Sequence, residues 1–199
     1  MIAHATDIFA LAVTPTQLIS GSGSSSIKIC STADPEFPLV QEFKGAHKLG
    51  CHHLATSRSG RVLASAGFGG ELKVWTLNEE NGQWELRGEI KEGNKAGEVW
   101  AIALDTEGGF LASTTVDGRV NVWDIRSLGK PQGEGGELGK ERKFREYETK
   151  GSFGLCVDIS RDGKYTASGH QNGAVYVFDN EVGKLVYSLP GKTDPMTDM

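Results

Sequence analysis

The 199-residue chain has no apolar run of membrane-spanning length. It has little cysteine. Cys30, Cys51 and Cys156 are odd in number and far apart, which excludes a disulfide framework, a zinc-ligand spacing or a redox pair. Each lies in a strand-like stretch, so reduced core thiols are expected, as in a cytoplasmic or nuclear protein. It also lacks a basic excess. Lys and Arg number 21 against 26 Asp and Glu, and the formal charge of −5 argues against wholesale nucleic-acid binding. Met1 to Phe9 contain His4 and Asp7 and no basic–apolar pattern, so no secretory leader is expected.

What is present is one phrase written four times. Phe110 to Thr115 reads as a strand, Asp117-Gly118 as a two-residue hairpin turn, and Val120, Val122 and Trp123-Asp124 as the returning strand. The phrase recurs at Tyr165 to Asp179 through Asn172-Gly173, at Val62 to Thr76 through Gly69-Gly70, and at Leu18 to Ser31 through a serine run. The closing pairs stand at 30/31, 75/76, 123/124 and 178/179, giving steps of 45, 48 and 55. Four-stranded units at that period predict an all-β propeller array. A further strand precedes each phrase and ends at Val13, Thr56, Leu104 and Ile159, which lie 17, 19, 19 and 19 residues before the closing residue. Spacing inside a sheet is held because a one-residue slip turns the buried face outward.

The predicted units are 3–43, 47–90, 98–147 and 153–189. Residues 126–142, rich in Gly, Glu and Lys, read as a mobile surface loop, and 190–199 as a frayed tail. Trp75, Trp123 and Phe178 are expected to wedge between neighbouring sheets.

Trp123-Asp124, the variants Trp75-Thr76 and Phe178-Asp179, and the turn Ser160-Arg-Asp-Gly163 resemble the WD-repeat family. That resemblance implies a β-propeller of WD-repeat type. The family builds seven blades and this chain carries four, so an open arc from a partial chain is expected. The family's buried network joins a His before the first strand, a Ser or Thr on the second, an Asp in the following turn and the Trp. Here His4 and His47, Ser20, Ser65, Ser113 and Ser168, and Asp117 match parts of it, so the network is expected to be incomplete in every blade. Ala3-His4, Asp7-Ile8-Phe9, His47 to Leu54, Val99-Trp100 and Val157 to Ser160 are similar to the WD-repeat subunits of the superkiller complex, which also serve meiotic recombination. The resemblance then implies a non-catalytic scaffold in exosome-mediated 3′-to-5′ mRNA decay. Its partners would be a tetratricopeptide-repeat subunit and an RNA helicase, with the meiotic topoisomerase-like protein as a further partner.

A partner surface is expected where the first strand of each unit reaches the channel rim, at Phe9, His52, Trp100 and Leu155, with Phe68, Val116 and His170 contributed by the hairpins. Exposed aromatics in a ring have the composition of an interaction hot spot. Catalytic, cofactor and metal sites are not expected. His52 and His53 are adjacent on a strand and point to opposite faces. Gly21-Ser-Gly23 lacks the third glycine and helix of a phosphate loop, and Gly133 to Gly136 is acidic. Asp158 has no base or second carboxylate at a telling distance, and Asp162 reads as a turn residue. The alternatives are another WD-repeat adaptor, G-protein β-like or serving a ubiquitin ligase, and a propeller hydrolase.

Overall fold

Every regular element among the described residues is a strand. The computed structural model describes residues 4–90, 99–132, 137–140 and 142–191. The strands are β1 (Ile8–Val13), β2 (Gln17–Ser22), β3 (Ile27–Ser31), β4 (Leu39–Phe43), β5 (Cys51–Thr56), β6 (Val62–Gly67), β7 (Leu72–Asn78), β8 (Gln83–Ile90), β9 (Val99–Leu104), β10 (Phe110–Thr115), β11 (Arg119–Asp124), β12 (Pro131–Gln132), β13 (Glu137–Leu138), β14 (Arg142–Glu148), β15 (Gly154–Ile159), β16 (Tyr165–His170), β17 (Val175–Asp179) and β18 (Lys184–Leu189). They form four antiparallel sheets, β1–β4, β5–β8, β9–β10–β11–β14 and β15–β18. The first strand of each later sheet packs against the first two strands of the sheet before it, β5 on β1 and β2, β9 on β5 and β6, and β15 on β9 and β10, and the assembly is an open propeller arc.

Three apolar clusters fill the three junctions. Trp75, Trp123 and Phe178 are buried in them as wedges, and Cys30 stands at the equivalent place in the first blade. Each wedge follows a register shift against the fourth strand, between Val74 and Trp75, Val122 and Trp123, and Val177 and Phe178. A bulge of this kind turns the side chain out of the pleat, here towards the preceding blade.

The hairpin turns differ from the sequence expectation. Asp117-Gly118 does not form a two-residue loop. Gly118 N–H donates to the Thr115 carbonyl at 3.1 Å, and Gly118 alone takes a left-handed φ of 87°. The same bond closes Gly67 to Gly70 and His170 to Gly173. A turn of this class needs one left-handed residue after its two central ones, so Asp117 keeps ordinary φ. At Gly118 an added Cβ would lie 2.8 Å from the Ser152 carbonyl oxygen, so glycine is required there for space as well as for φ.

The segment 126–142 also differs. Its start is anchored: Leu128 is buried in the second junction, and the Arg87 guanidinium donates to the carbonyls of Ile125, Arg126 and Leu128 at 2.6–2.8 Å. Further on, β12 pairs with β13. The acidic Gly133–Gly136 stretch lies outside the described residues, as does the expected tail beyond residue 191. Cys30 and Cys51 are buried free thiols, but Cys156 is exposed, on a face of the fourth blade that no other sheet among the described residues covers.

Candidate partner-binding rim

The rim is built by a backbone irregularity repeated in every blade. In the first–second strand pairs, register shifts fall between Ile8 and Ala10, Cys51 and His53, and Gly154 and Cys156, with the matching shift in β9 between Val99 and Ile102. The residues inside these shifts are Phe9, His52, Leu155 and, in β9, Trp100 with Ala101. Bulged residues have no direct cross-strand partner, and their side chains are re-aimed. The positions expected from the sequence at the rim are the ones that lie inside these shifts.

Four of the expected residues meet in one aromatic ladder. Phe9 packs edge-on against Phe68 at 5.2 Å, Phe68 tilts over His52 at 4.8 Å, and His52 over Trp100 at 5.5 Å. Phe153, which the sequence reading did not single out, ends the run edge-on to Trp100 at 5.0 Å. Offset and edge-on ring pairs at these distances stabilise by about 0.5–1.5 kcal/mol each beyond area burial. The ladder draws a ring from each of the four blades. Phe9 is 52% exposed, and Leu155 and Val116 are exposed large apolar residues outside the ladder.

His52 fixes the middle of the run. Its Nε2–H donates to the Trp100 carbonyl at 2.9 Å, since a carbonyl can only accept. Burial holds its pKa below the usual histidine value, against the opposing pull of that carbonyl, so the ring stacks as neutral imidazole.

His170 is not part of the rim. It is 5% exposed. Its Nδ1–H donates to the Ser152 carbonyl at 2.7 Å, and its Nε2 accepts from the Ser168 hydroxyl at 2.9 Å. It opens its turn, as Thr115 opens the turn in the third blade, so its side chain points inward. The residue at the exposed turn tip is Gln171, one place later. His170 instead supplies the fourth blade with the buried histidine missing before its first strand.

The buried network is more complete in one blade than its sequence implied. In the second blade Trp75 Nε1–H donates to Ser65 Oγ at 2.9 Å, and Ser65 Oγ is also 2.9 Å from His47 Nε2. The acid is Glu71, just past the turn, with Oε2 3.9 Å from His47 Nδ1. That gap is beyond hydrogen-bond reach, and desolvation, reinforced by the nearby Lys73 ammonium, pushes the His47 pKa down to about 3. In the first blade His4 bonds Ser20 and Ser26 at 2.8 and 2.9 Å. In the third, Trp123 Nε1 and Ser113 Oγ have no partner among the described residues. Asp117 joins no such network: it accepts from Thr115 and Arg119 in its own turn. Asp124 pairs with Arg126, and Asp179 accepts from the amides of Glu181 and Val182, so both signature acids fasten the turn after the third strand.

Among the described residues no cluster of His, Cys, Asp or Glu could hold a metal ion. The family model described as WD domain, G-beta repeat matches residues 37–76 and 85–124. Each match begins around a fourth strand and ends on the third strand of the next blade, so sequence repeat and structural blade are offset by one strand. The chain is 39% identical over 194 residues to meiotic recombination protein rec14 of Schizosaccharomyces pombe, covering 98% of this chain and 59% of that protein. It is 26% identical over 192 residues to WD repeat-containing protein VIP3 of Arabidopsis thaliana (93% and 55%). It is 25% identical over 179 residues to WD repeat-containing protein SL1-17 of Schistosoma mansoni (90% and 52%). The chain therefore spans little more than half the length of these relatives.

Proposed function

Starting from a chain that is a WD-repeat protein, we propose that it is a non-catalytic scaffold that grips partner proteins on the aromatic rim. WD-repeat proteins generally mediate protein–protein interaction, and no catalytic family is indicated here. The observation that carries the reading is the ladder Phe9–Phe68–His52–Trp100–Phe153, whose Phe9, His52 and Trp100 sit in the bulges of the first three blades. Similarity to rec14 favours a role in meiotic recombination. The finer reading is a superkiller-complex subunit of cytoplasm and nucleus, bound to a tetratricopeptide-repeat protein and an RNA helicase, with the meiotic topoisomerase-like protein as a second partner. It rests on short phrases such as His47 to Leu54.

Trp100→Ala tests the site. The His52 bond to the Trp100 carbonyl uses backbone, so the fold should survive, while partner affinity falls by about 2–4 kcal/mol. Pull-down at wild-type strength with an unchanged circular dichroism spectrum would remove the rim as the docking surface. Affinity purification with mass spectrometry tests the finer reading, and failure to recover the tetratricopeptide subunit and the helicase would count against it.

A further inference from the structure

The second blade holds two buried polar atoms without a partner, and both residues line one cavity. The atoms are His47 Nδ1 and Glu71 Oε2, 3.9 Å apart. His47 is 2% exposed and Glu71 8%. The cavity, of about 520 Å³, is walled by these two with Lys48, Gly69, Lys73 and Glu89. That volume lies in the range of ligand sites.

The proton on Nδ1 is fixed from behind. Trp75 Nε1–H donates to Ser65 Oγ, and the Ser65 hydroxyl proton has one acceptor in reach among the described residues, His47 Nε2. The neutral imidazole therefore carries its own proton on Nδ1, as a donor. The Glu71 carboxylate only accepts. Its Oε1 takes the Lys48 amide at 3.3 Å, and its Oε2 takes nothing. Two glycines keep side chains away from the pair. A Cβ at Gly67 would lie 2.5 Å from His47 Nδ1, and one at Gly69 2.6 Å from Glu71 Oε2. Neither glycine has a left-handed φ, so space and not backbone requires them. The other three turns carry side chains at both places: Ser22 and Ser24, Thr115 and Asp117, His170 and Asn172.

The pair selects its ligand. An anion satisfies Nδ1–H but meets the Glu71 carboxylate. A cation satisfies Oε2 but leaves Nδ1–H buried without an acceptor. A hydroxyl serves both: an oxygen about 2.8 Å from each atom spans the gap, accepting from Nδ1–H and donating to Oε2. Phe68, a ring of the aromatic ladder, stands between Gly67 and Gly69, so one turn serves the rim and walls the cavity. We propose that this cavity seats the hydroxyl of a serine or threonine side chain from the protein segment held on the rim. The source of the hydroxyl rests on the rim reading; the seat itself does not.

The test follows the His47 imidazole resonances of the isotope-labelled chain during titration with N-acetyl-threonine N-methylamide. A saturable movement of Nδ1 is expected. The valine analogue, the same shape without the hydroxyl, should bind more weakly by about tenfold or more, and Glu71→Ala should weaken the threonine probe to the same extent. Glycerol, a free alcohol, should also need a higher concentration than the threonine probe. Trp100→Ala should leave the threonine response unchanged, so the seat and the rim fail separately. In the partner pull-down Glu71→Ala should weaken recovery, as Trp100→Ala does. The seat is overturned if the threonine probe does not move His47, which would leave it to water alone, if the valine analogue acts at the same concentration, or if the response survives Glu71→Ala or is lost in Trp100→Ala. The valine comparison decides alone if Glu71→Ala does not fold. The partner as source is overturned if glycerol acts at the same concentration, or if Glu71→Ala recovers the partner in full where Trp100→Ala does not.

Discussion

Lowering the pH from 7 to 5 should selectively weaken the second blade, through His47. Its imidazole is wholly buried and neutral, with a pKa of about 3 against 6.5 for an exposed histidine. Between those values the unfolded chain binds the proton and the folded chain does not. The contribution of a neutral His47 is therefore complete above pH 6.5 and lost as the pH falls towards 3. The slope is about 1.4 kcal/mol per pH unit, so about 2 kcal/mol is lost by pH 5. His4, His52 and His53 are also held below the usual value by burial and act in the same direction. His47→Gln separates the contributions, because the remaining histidines and every carboxylate are common to both chains. Urea unfolding can be followed by tryptophan fluorescence, since Trp75 and Trp84 lie in the same cluster as the first junction. At pH 7 the variant should be less stable by about 1–3 kcal/mol, the cost of disturbing a buried hydrogen bond. By pH 5 that gap should shrink by about 2 kcal/mol. Parallel pH curves would refute the reasoning. A widening gap would mean that Glu71 closes the 3.9 Å to Nδ1 and favours the imidazolium.

Two further changes probe other parts of the frame. Trp75→Phe should cost about 1–2 kcal/mol more than Trp123→Phe in the same unfolding assay, because only Trp75 gives up a hydrogen bond, to Ser65; equal losses would show that the bond contributes nothing. Arg87→Ala releases three carbonyls that anchor residues 125–128, so limited proteolysis should cut within 126–142 faster, ahead of any change in the core, and an unchanged rate would show that Leu128 alone holds the segment.

Much of this architecture is legible in the residues because the constraints are local. Alternation and punctuation by Gly118, Gly70 and Gly173 mark the second and third strands, and the wedges recur at a fixed distance from the first. The turn class was not legible, since Asp-Gly suits both the shorter loop and the one found. His170 is expected at the rim, but by register it matches Thr115, which opens its turn, and Gln171 holds the place of Phe68 and Val116. Glu71 is hidden because the resemblance places the acid within the turn, whereas the one that approaches His47 stands just after it. The Arg87 anchor joins groups 38–41 residues apart through carbonyls, which carry no side-chain identity to read. Aligning the strands located Phe9, His52, Trp100 and Leu155, but the shifts that re-aim them leave no mark in composition.

Those shifts separate two properties that most sheets keep joined. Ordinarily a side chain both supports its neighbours across the ladder and displays itself to solvent, so altering one duty alters the other. At Phe9, His52 and Leu155 the chain has taken the displayed letter out of the row that bears the weight. The wording of the rim can therefore be rewritten, residue by residue, while the stacked sheets beneath keep the same grammar.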